Sequence, residues 1–296
     1  MAEGHFDRIG LVVHPRRNLD RALATIGDWA QANGAEVVQV GAPGQEREVA
    51  PAGDVAACDL VIALGGDGTA LAALRAAAPS HRPVLGVACG SLGALTGTTA
   101  EKLEHALGRV AGGAWRPRRL PALAADRGRE TLRAINDLVL VRASAGQVTV
   151  EILLDGERYA RFAGDGLVAA TPLGSTAYTL AAGGPMLAPG SRGLVLTPLS
   201  PHGGFCPPVV TVPRHDVHVT IEPGHGGARV ELDGQIHTVL ERMQTVSLSL
   251  RFENEFATLV SFGEEEPMLP GLRRRGILAD SPRVRAREKR DAAAPY

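Results

Sequence analysis

The 296-residue chain carries 31 Lys and Arg against 32 Asp and Glu, so no global field draws it to nucleic acid or to an anionic membrane, and any phosphate recognition must be local. A hydrophobic fraction of 45%, a charged fraction of 21%, 36 glycines and 20 prolines describe a globular chain with many tight turns, long enough for two domains of about 100 to 200 residues. Cys58, Cys89 and Cys206 lie too far apart for a disulfide framework or a cysteine zinc site; with no apolar run of ~18 residues and no basic-then-apolar leader, a reducing cytoplasm is the expected setting.

An apolar strand from Ile9 to Val13 stops at His14-Pro15-Arg16-Arg17, and a helical pattern from about Leu19 to Asn33, closed by Gly34, leads to a second strand, Glu36 to Val40. A third strand, Leu60 to Leu64, runs into Gly65-Gly66-Asp67-Gly68-Thr69 and then an Ala- and Leu-rich helix through about Ala78. Strand Val84 to Val87 enters a second glycine turn around Gly90 and Gly93, and Glu101 to Val110 reads as another helix. This alternation predicts a parallel sheet covered on both faces. Near Trp115-Arg116-Pro117-Arg118-Arg119 the pattern changes to short strands: Leu132 to Val141, Gln147 to Leu154, Leu167 to Ala170, Val209 to Val212, Val217 to Ile221, Ala228 to Leu232 and Thr245 to Leu250. The expected organisation is a Rossmann-like α/β N-terminal domain over 1–118, an all-β C-terminal domain over 119–266, and an arm with a disordered, solvated tail over 267–296.

Two constellations carry the chemistry. In Gly65-Gly66-Asp67-Gly68-Thr69 a buried strand hands over to a helix, where glycines let backbone amides approach phosphate oxygens and the helix N-terminus adds a partial positive charge. A carboxylate in an anion-binding turn makes sense if Asp67 holds a metal or accepts the proton of an attacking hydroxyl. The structural alternative is a sharp turn with Asp67 capping the helix and Thr69 satisfying backbone groups. The second constellation runs Gly164-Asp165-Gly166 to Thr171-Pro172-Leu173-Gly174-Ser175-Thr176-Ala177-Tyr178, then Ala182-Gly183-Gly184-Pro185. Asp165, Thr171, Ser175, Thr176 and Tyr178 offer donors, acceptors and a stacking face suited to a sugar or base, with a buried turn network as the alternative. His14, His202 and His237 are scattered, unlike metal ligands, and Arg116, Arg118, Arg119 and Arg273 to Arg275 read as solvated charge unless they meet a triphosphate. A Walker lysine motif is absent, as is a Gly-x-Gly-x-x-Gly fingerprint after the first strand.

Together these segments resemble the NAD kinase family, whose members carry a GGDGT turn and a later GDG…TPTGSTAY…AGGP segment; here Leu173 replaces the usual threonine. The likeness continues through Asn136-Asp137, where the family has Asn-Glu, through Leu196-Thr197-Pro198 with Pro201-His202, and through Asp233-Gly234-Gln235. The resemblance implies ATP-dependent transfer of a phosphoryl group to a ribose hydroxyl, the 2′-OH of the adenosine moiety of NAD in the first instance. It places Asp67 beside the acceptor hydroxyl, Gly65, Gly66, Gly68 and Thr69 near the phosphates, and Asn136 and Asp137 on ribose hydroxyls. Thr171, Ser175, Thr176, Ala177 and Tyr178 would line the acceptor pocket, with Asp165 facing the acceptor's polar end. Magnesium would enter with the ATP triphosphate, without an all-protein metal cage, and the protein would be a homodimer or homotetramer whose neighbouring subunit completes the site. The turn after the fourth strand departs from the family's Asn-x-Gly-x-Leu-Gly-Phe-Leu: it reads Ala88-Cys89-Gly90-Ser91-Leu92-Gly93-Ala94-Leu95. Losing an amide at Ala88 and a ring at Ala94 leaves open a paralogous kinase for another nucleoside or nucleotide. A lipid kinase sharing the GGDGT turn and a non-catalytic nucleotide-binding regulator stand further off.

Overall fold

The computed structural model describes residues 6–263 and 268–293. Two compact units divide the chain, residues 1–263 and 264–296.

The first unit begins with β1 (Arg8–Val13), α1 (Asp20–Asn33), β2 (Glu36–Gln39), β3 (Leu60–Gly65), α2 (Asp67–Ala77), β4 (Pro83–Ala88), the short β5 (Thr98–Thr99) and α3 (Leu103–Ala111). Helix α1 stops where a left-handed residue is cheapest: Gly34, at φ 68°, donates its N–H to the Ala30 carbonyl. The strands lie in the order β2-β1-β3-β4, all parallel. Successive side chains of a strand face opposite ways, and along β3 both sets are buried. Val61 and Ala63 pack with Ala70 and Leu74 of α2, whereas Leu60, Ile62 and Leu64 pack in the cluster holding Ile26 of α1 and Leu107 of α3. This is the doubly covered parallel sheet that the apolar runs predict.

The chain continues through β6 (Arg116–Arg127), β7 (Glu130–Ala134), β8 (Asp137–Arg142), β9 (Val148–Leu154), β10 (Glu157–Gly164), β11 (Gly166–Ala170), α4 (Tyr178–Ala181), β12 (Leu194–Leu199), β13 (Val209–Thr211), β14 (Val217–Glu222), β15 (Ala228–Leu232), β16 (Gln235–Leu240) and β17 (Val246–Ser261). An antiparallel six-stranded sheet runs β13-β12-β11-β8-β15-β16. Strands β10-β9-β14-β17 form a second antiparallel array, and the apolar faces of Leu138, Leu140, Val150, Ile152, Val219 and Leu248 close one core between the two.

Three sequence expectations change. The predicted Leu132 to Val141 strand is two strands, because the backbone between them turns its N–H groups onto a side chain, Asp233. The predicted Thr245 to Leu250 strand runs on to Ser261, and β6 threads through the Arg-rich stretch that reads as a change of pattern. These two long strands pair with each other, and Thr258 and Leu259 of β17 also pair in parallel with Pro83 and Val84 of β4. One eleven-stranded sheet therefore joins the helical half to the β-rich half.

The second unit holds α5 (Met268–Arg274) and α6 (Pro282–Ala293), with Arg273 Nη1 2.7 Å from Asp280 Oδ1. Among the described residues, no helix is long and apolar enough to cross a membrane.

Leu259 is 1% exposed at the junction between β4, β6 and β17. Leu259→Ala is expected to cost about 2–5 kcal/mol through lost burial and a residual cavity. Because one sheet spans both halves, urea unfolding followed by far-UV circular dichroism should shift together with the fluorescence of Trp29 and Trp115, which both lie in the helical half. Separate transitions would show that β17 does not couple the halves.

Candidate active site

Strand β3 ends at Gly65, and Gly66, in extended conformation, caps α2. Thr69 is buried and donates its hydroxyl to Gln45 Oε1 at 3.3 Å, so this group serves the neighbouring loop. Gly68 is exposed, with open space where a Cβ would stand. Asp67, at the first turn of α2, accepts the backbone N–H of Ala94 on Oδ2 at 3.0 Å and that of Leu95 on Oδ1 at 2.9 Å. Gly93 passes so close that a Cβ would fall 2.0 Å from Asp67 Oδ1, so a side chain there would displace the carboxylate. From the other side Arg118 Nη1 donates to the Ala94 carbonyl at 3.2 Å. Ala88 is buried at the end of β4, whereas Gly90, at φ 152°, and Ala94 are exposed. The second glycine turn is thus fastened to the first through the carboxylate that the motif singles out.

The sequence gives no sign of Arg17, which joins this site from the loop after β1. Its Nη1 donates to the carbonyls of Cys89 at 3.0 Å and Gly65 at 3.4 Å, across the ends of β4 and β3. Its backbone N–H and that of Arg16 donate to His14 Nδ1 at 3.2 and 3.1 Å, and its carbonyl accepts from Arg47 Nη1 at 2.7 Å. Burial, followed by the nearby Arg17 and Arg16 charges, holds the His14 imidazole below its ordinary value, which keeps Nδ1 an acceptor.

In the β-rich half the turn between β7 and β8 is shaped by Asp233. This residue, at φ 50° in the turn between β15 and β16, accepts three backbone N–H groups: Ile135 at 3.1 Å, Asn136 at 2.7 Å and Asp137 at 3.3 Å. Arg75 of α2 reaches the same turn, donating to the Leu232 carbonyl at 2.6 Å with its Nη1 3.7 Å from Asp233 Oδ2. The Asn136 carbonyl accepts the Thr171 N–H at 2.9 Å. The Thr171 hydroxyl donates to Ile135 O at 2.7 Å, and the Ser175 hydroxyl donates to Pro172 O at 2.7 Å while accepting the Leu187 N–H at 2.9 Å. Thr176 donates its hydroxyl to Leu173 O at 3.0 Å. The small polar groups that read as sugar contacts are thus engaged within the turn, and Ala177 and Tyr178, the latter 41% exposed, present the open face.

Asp137 is 5% exposed and faces Asp233 and Glu231. Burial, then repulsion from those two carboxylates, pushes its carboxyl up from 3.8 to about 7. Burial raises Asp233 as well, but three N–H groups and the Arg75 charge oppose the rise.

Asp165 does not join this cluster. Along β11, Ala170 pairs with Asp137 and Gly166 with Val141, so Asp165 lies at the opposite end of the strand, about 20 Å from Thr171 at the usual rise per residue. There it is 2.6 Å from Arg142 Nε, and that hydrogen bond holds its carboxyl below the ordinary range.

A parallel α/β layer carrying a glycine turn, continuous with an antiparallel β domain carrying a second polar turn, defines a two-domain kinase architecture. The ATP-NAD kinase N-terminal domain family matches residues 28–114 and its C-terminal counterpart residues 135–255. NAD kinase 1 of Streptomyces coelicolor is 34% identical over 281 residues, covering 79% of this chain and 77% of that protein. NAD kinase of Heliobacterium modesticaldum is 39% identical over 183 residues, or 60% of this chain and 65% of that one. Among solved structures, yeast NADH kinase complexed with NADH superposes with a TM-score of 0.74 at 20% identity, covering 94% of this chain and 89% of that one. An NAD kinase from Archaeoglobus fulgidus in complex with ATP gives 0.66 at 24% identity, with 87% and 94% covered. The chain belongs to the NAD kinase family.

The Asp137 carboxyl sets an expected pH dependence. A native carboxyl titrating at about 7 keeps its proton where the unfolded chain, near 3.8, has lost it. Its contribution to stability is complete below the unfolded value, declines as pH rises toward 7, and is flat beyond. Urea midpoints of wild type and Asp137→Asn should therefore converge or cross in that direction between pH 5 and 7, the wild type losing stability relative to the variant. Parallel curves would show that Asp137 titrates normally.

Proposed function

We propose that the protein transfers the γ-phosphoryl group of ATP to the 2′-OH of the adenosine moiety of NAD, giving NADP and ADP, as a phosphotransferase with an alcohol acceptor. The observation that carries this reading is the union of the two family motifs in one frame, with α2 bearing Asp67 at its N-terminus and Arg75 against the Asp233 turn under Asn136. In the transfer, the bond from the γ-phosphorus to the bridging oxygen breaks and the electron pair leaves on ADP, while the ribose oxygen bonds to phosphorus and its proton passes to Asp67. The two backbone N–H groups on Asp67 leave further lone pairs on each oxygen to accept that proton. They also fix the carboxylate, so that its orientation is set before substrate arrives.

Exposed Gly68 and the extended Gly66 would admit phosphate oxygens to the α2 N-terminus, with Gly65 and Thr69 shaping the turn behind them. Asn136 and Asp137 would hold the ribose hydroxyls, the Asp137 carboxyl accepting when ionised and able also to donate when protonated. Thr171, Ser175 and Thr176 would act by holding the loop that presents Ala177 and Tyr178 to the base. Ala88, Gly90 and Ala94 would form the turn bordering the acceptor.

Magnesium suits this site as a companion of the triphosphate. Among the described residues no group of three His, Cys, Asp or Glu is arranged to hold a metal ion, and its ligands would come mainly from phosphate and water. When bound it would neutralise charge on the transferring phosphoryl group. We further propose a homo-oligomer, dimer or tetramer, in which the Asp165 end of β11 meets the neighbouring subunit's acceptor. We further place the enzyme in the cytoplasm and the division between its two domains near residues 118 and 119.

Asp67→Asn should lower kcat for NADP formation from ATP and NAD by about 10²–10⁴-fold, the usual range for a removed general base. Loss of one loop hydrogen bond will lower the melting temperature slightly. Mass detection of NADP at more than a few per cent of the wild-type rate would remove Asp67 from this role.

A further inference from the structure

Arg17 is a cation without a counter-ion. Among the described residues no carboxylate pairs with it, and while Nη1 spends its hydrogens on the Gly65 and Cys89 carbonyls, Nη2 and Nε have no protein acceptor. A guanidinium offers five N–H donors in a planar fork, a shape that matches phosphate oxygens two at a time. Its position is built as carefully as its charge is left free. A Cβ on Gly66 would lie 3.7 Å from both Nη1 and Nη2, so the group rests over the residue that caps α2. A Cβ on Gly90 would approach Nη1 to 2.8 Å, so a side chain there would push the guanidinium away. His14 and Arg47 hold the Arg17 backbone from its two sides.

We infer that Arg17 binds the polyphosphate of the donor nucleotide, clamping it over the Gly66 and Gly68 turn beside Asp67. The inference rests on the kinase reading above and adds to it a substrate-binding residue outside both family motifs. Arg17 supplies charge and two directed hydrogen bonds; it takes no part in proton transfer. An arginine that merely tied the ends of β3 and β4 together would spend its remaining donors on the protein, or lie against an acidic partner.

The test compares wild type with Arg17→Met and Arg17→Lys in steady-state kinetics, varying ATP and NAD separately, and in calorimetric titration with inorganic tripolyphosphate. Arg17→Met should raise KM for ATP by about tenfold or more, in keeping with a lost charge-assisted hydrogen-bonding pair, and move KM for NAD by less than about threefold. Lys, keeping the charge but not the fork, should fall between. Tripolyphosphate should bind wild type and lose affinity in step with KM for ATP. Unchanged KM for ATP, or an equal rise in both KM values accompanied by loss of thermal stability, overturns the inference in favour of a structural tie. Should wild type show no turnover with any acceptor, the kinase reading fails by itself, and the tripolyphosphate titration still decides the role of Arg17.

Discussion

The site depends on one buried carboxylate that belongs to neither glycine motif. Asp233 receives the N–H groups of Ile135, Asn136 and Asp137 and is approached by Arg75 from α2, about 12 Å along that helix from Asp67. Removing an ionised carboxylate from water is costly unless its lone pairs are met, and here backbone donors and a guanidinium meet them. The geometry cannot relax piecemeal. If the Asp233 turn moves, the β7–β8 turn loses its N–H partners, and the Thr171 hydroxyl loses the Ile135 carbonyl. Arg75 ties that whole assembly to the helix that starts at the first glycine turn.

The same economy appears in the N-terminal half. Asp67 holds the Ala94 and Leu95 amides, Arg118 holds the Ala94 carbonyl, and Arg17 spans the carbonyls at the ends of β3 and β4. Motif side chains therefore hold the loops around them. Thr171, Ser175 and Thr176 spend their hydroxyls inside a turn, yet that turn is what leaves Tyr178 exposed. Asp67 does not cap the helix, as the structural alternative expects, but fastens the second turn, and that contact is compatible with proton acceptance because a carboxylate has more lone pairs than the loop uses.

Local signals explain what could be read in advance. The apolar runs of β1, β3 and β4 and the Gly34 stop of α1 are short-range features, and each element lies where its pattern puts it. Nothing in the pattern marks β10, β12 or β16: β12 contains Pro198, and β16 exposes Ile236 and Val239 on an edge, so neither shows a clean alternation. The reach of β17 and β6 was illegible because each is stabilised by the other across more than a hundred residues of chain, as Arg133 and Glu253 also illustrate. Arg17 was hidden for the same reason. After an apolar strand, His14-Pro15-Arg16-Arg17 looks like a solvated stop, and only the distant Gly65 and Cys89 carbonyls give the second arginine its place.

The altered turn after β4 can be understood from these contacts. Its conformation is set by main-chain atoms of Ala94 and Leu95 and by the close passage of Gly93, none of which depends on the side chain at 94. The exposed Ala94 side chain is therefore free to differ from the family's aromatic ring without moving Asp67, whereas Gly93 is not free to differ. Ala88 is buried against the sheet, so replacing an amide there removes a polar group from an apolar setting and leaves no orphaned partner in the strand. On the proposed reading, variation at these two positions would change what the acceptor touches while the phosphoryl-transfer frame stays fixed. Such a separation of frame from wall would let side chains at 88 and 94 vary while the Asp67 carboxylate and the first glycine turn keep their places.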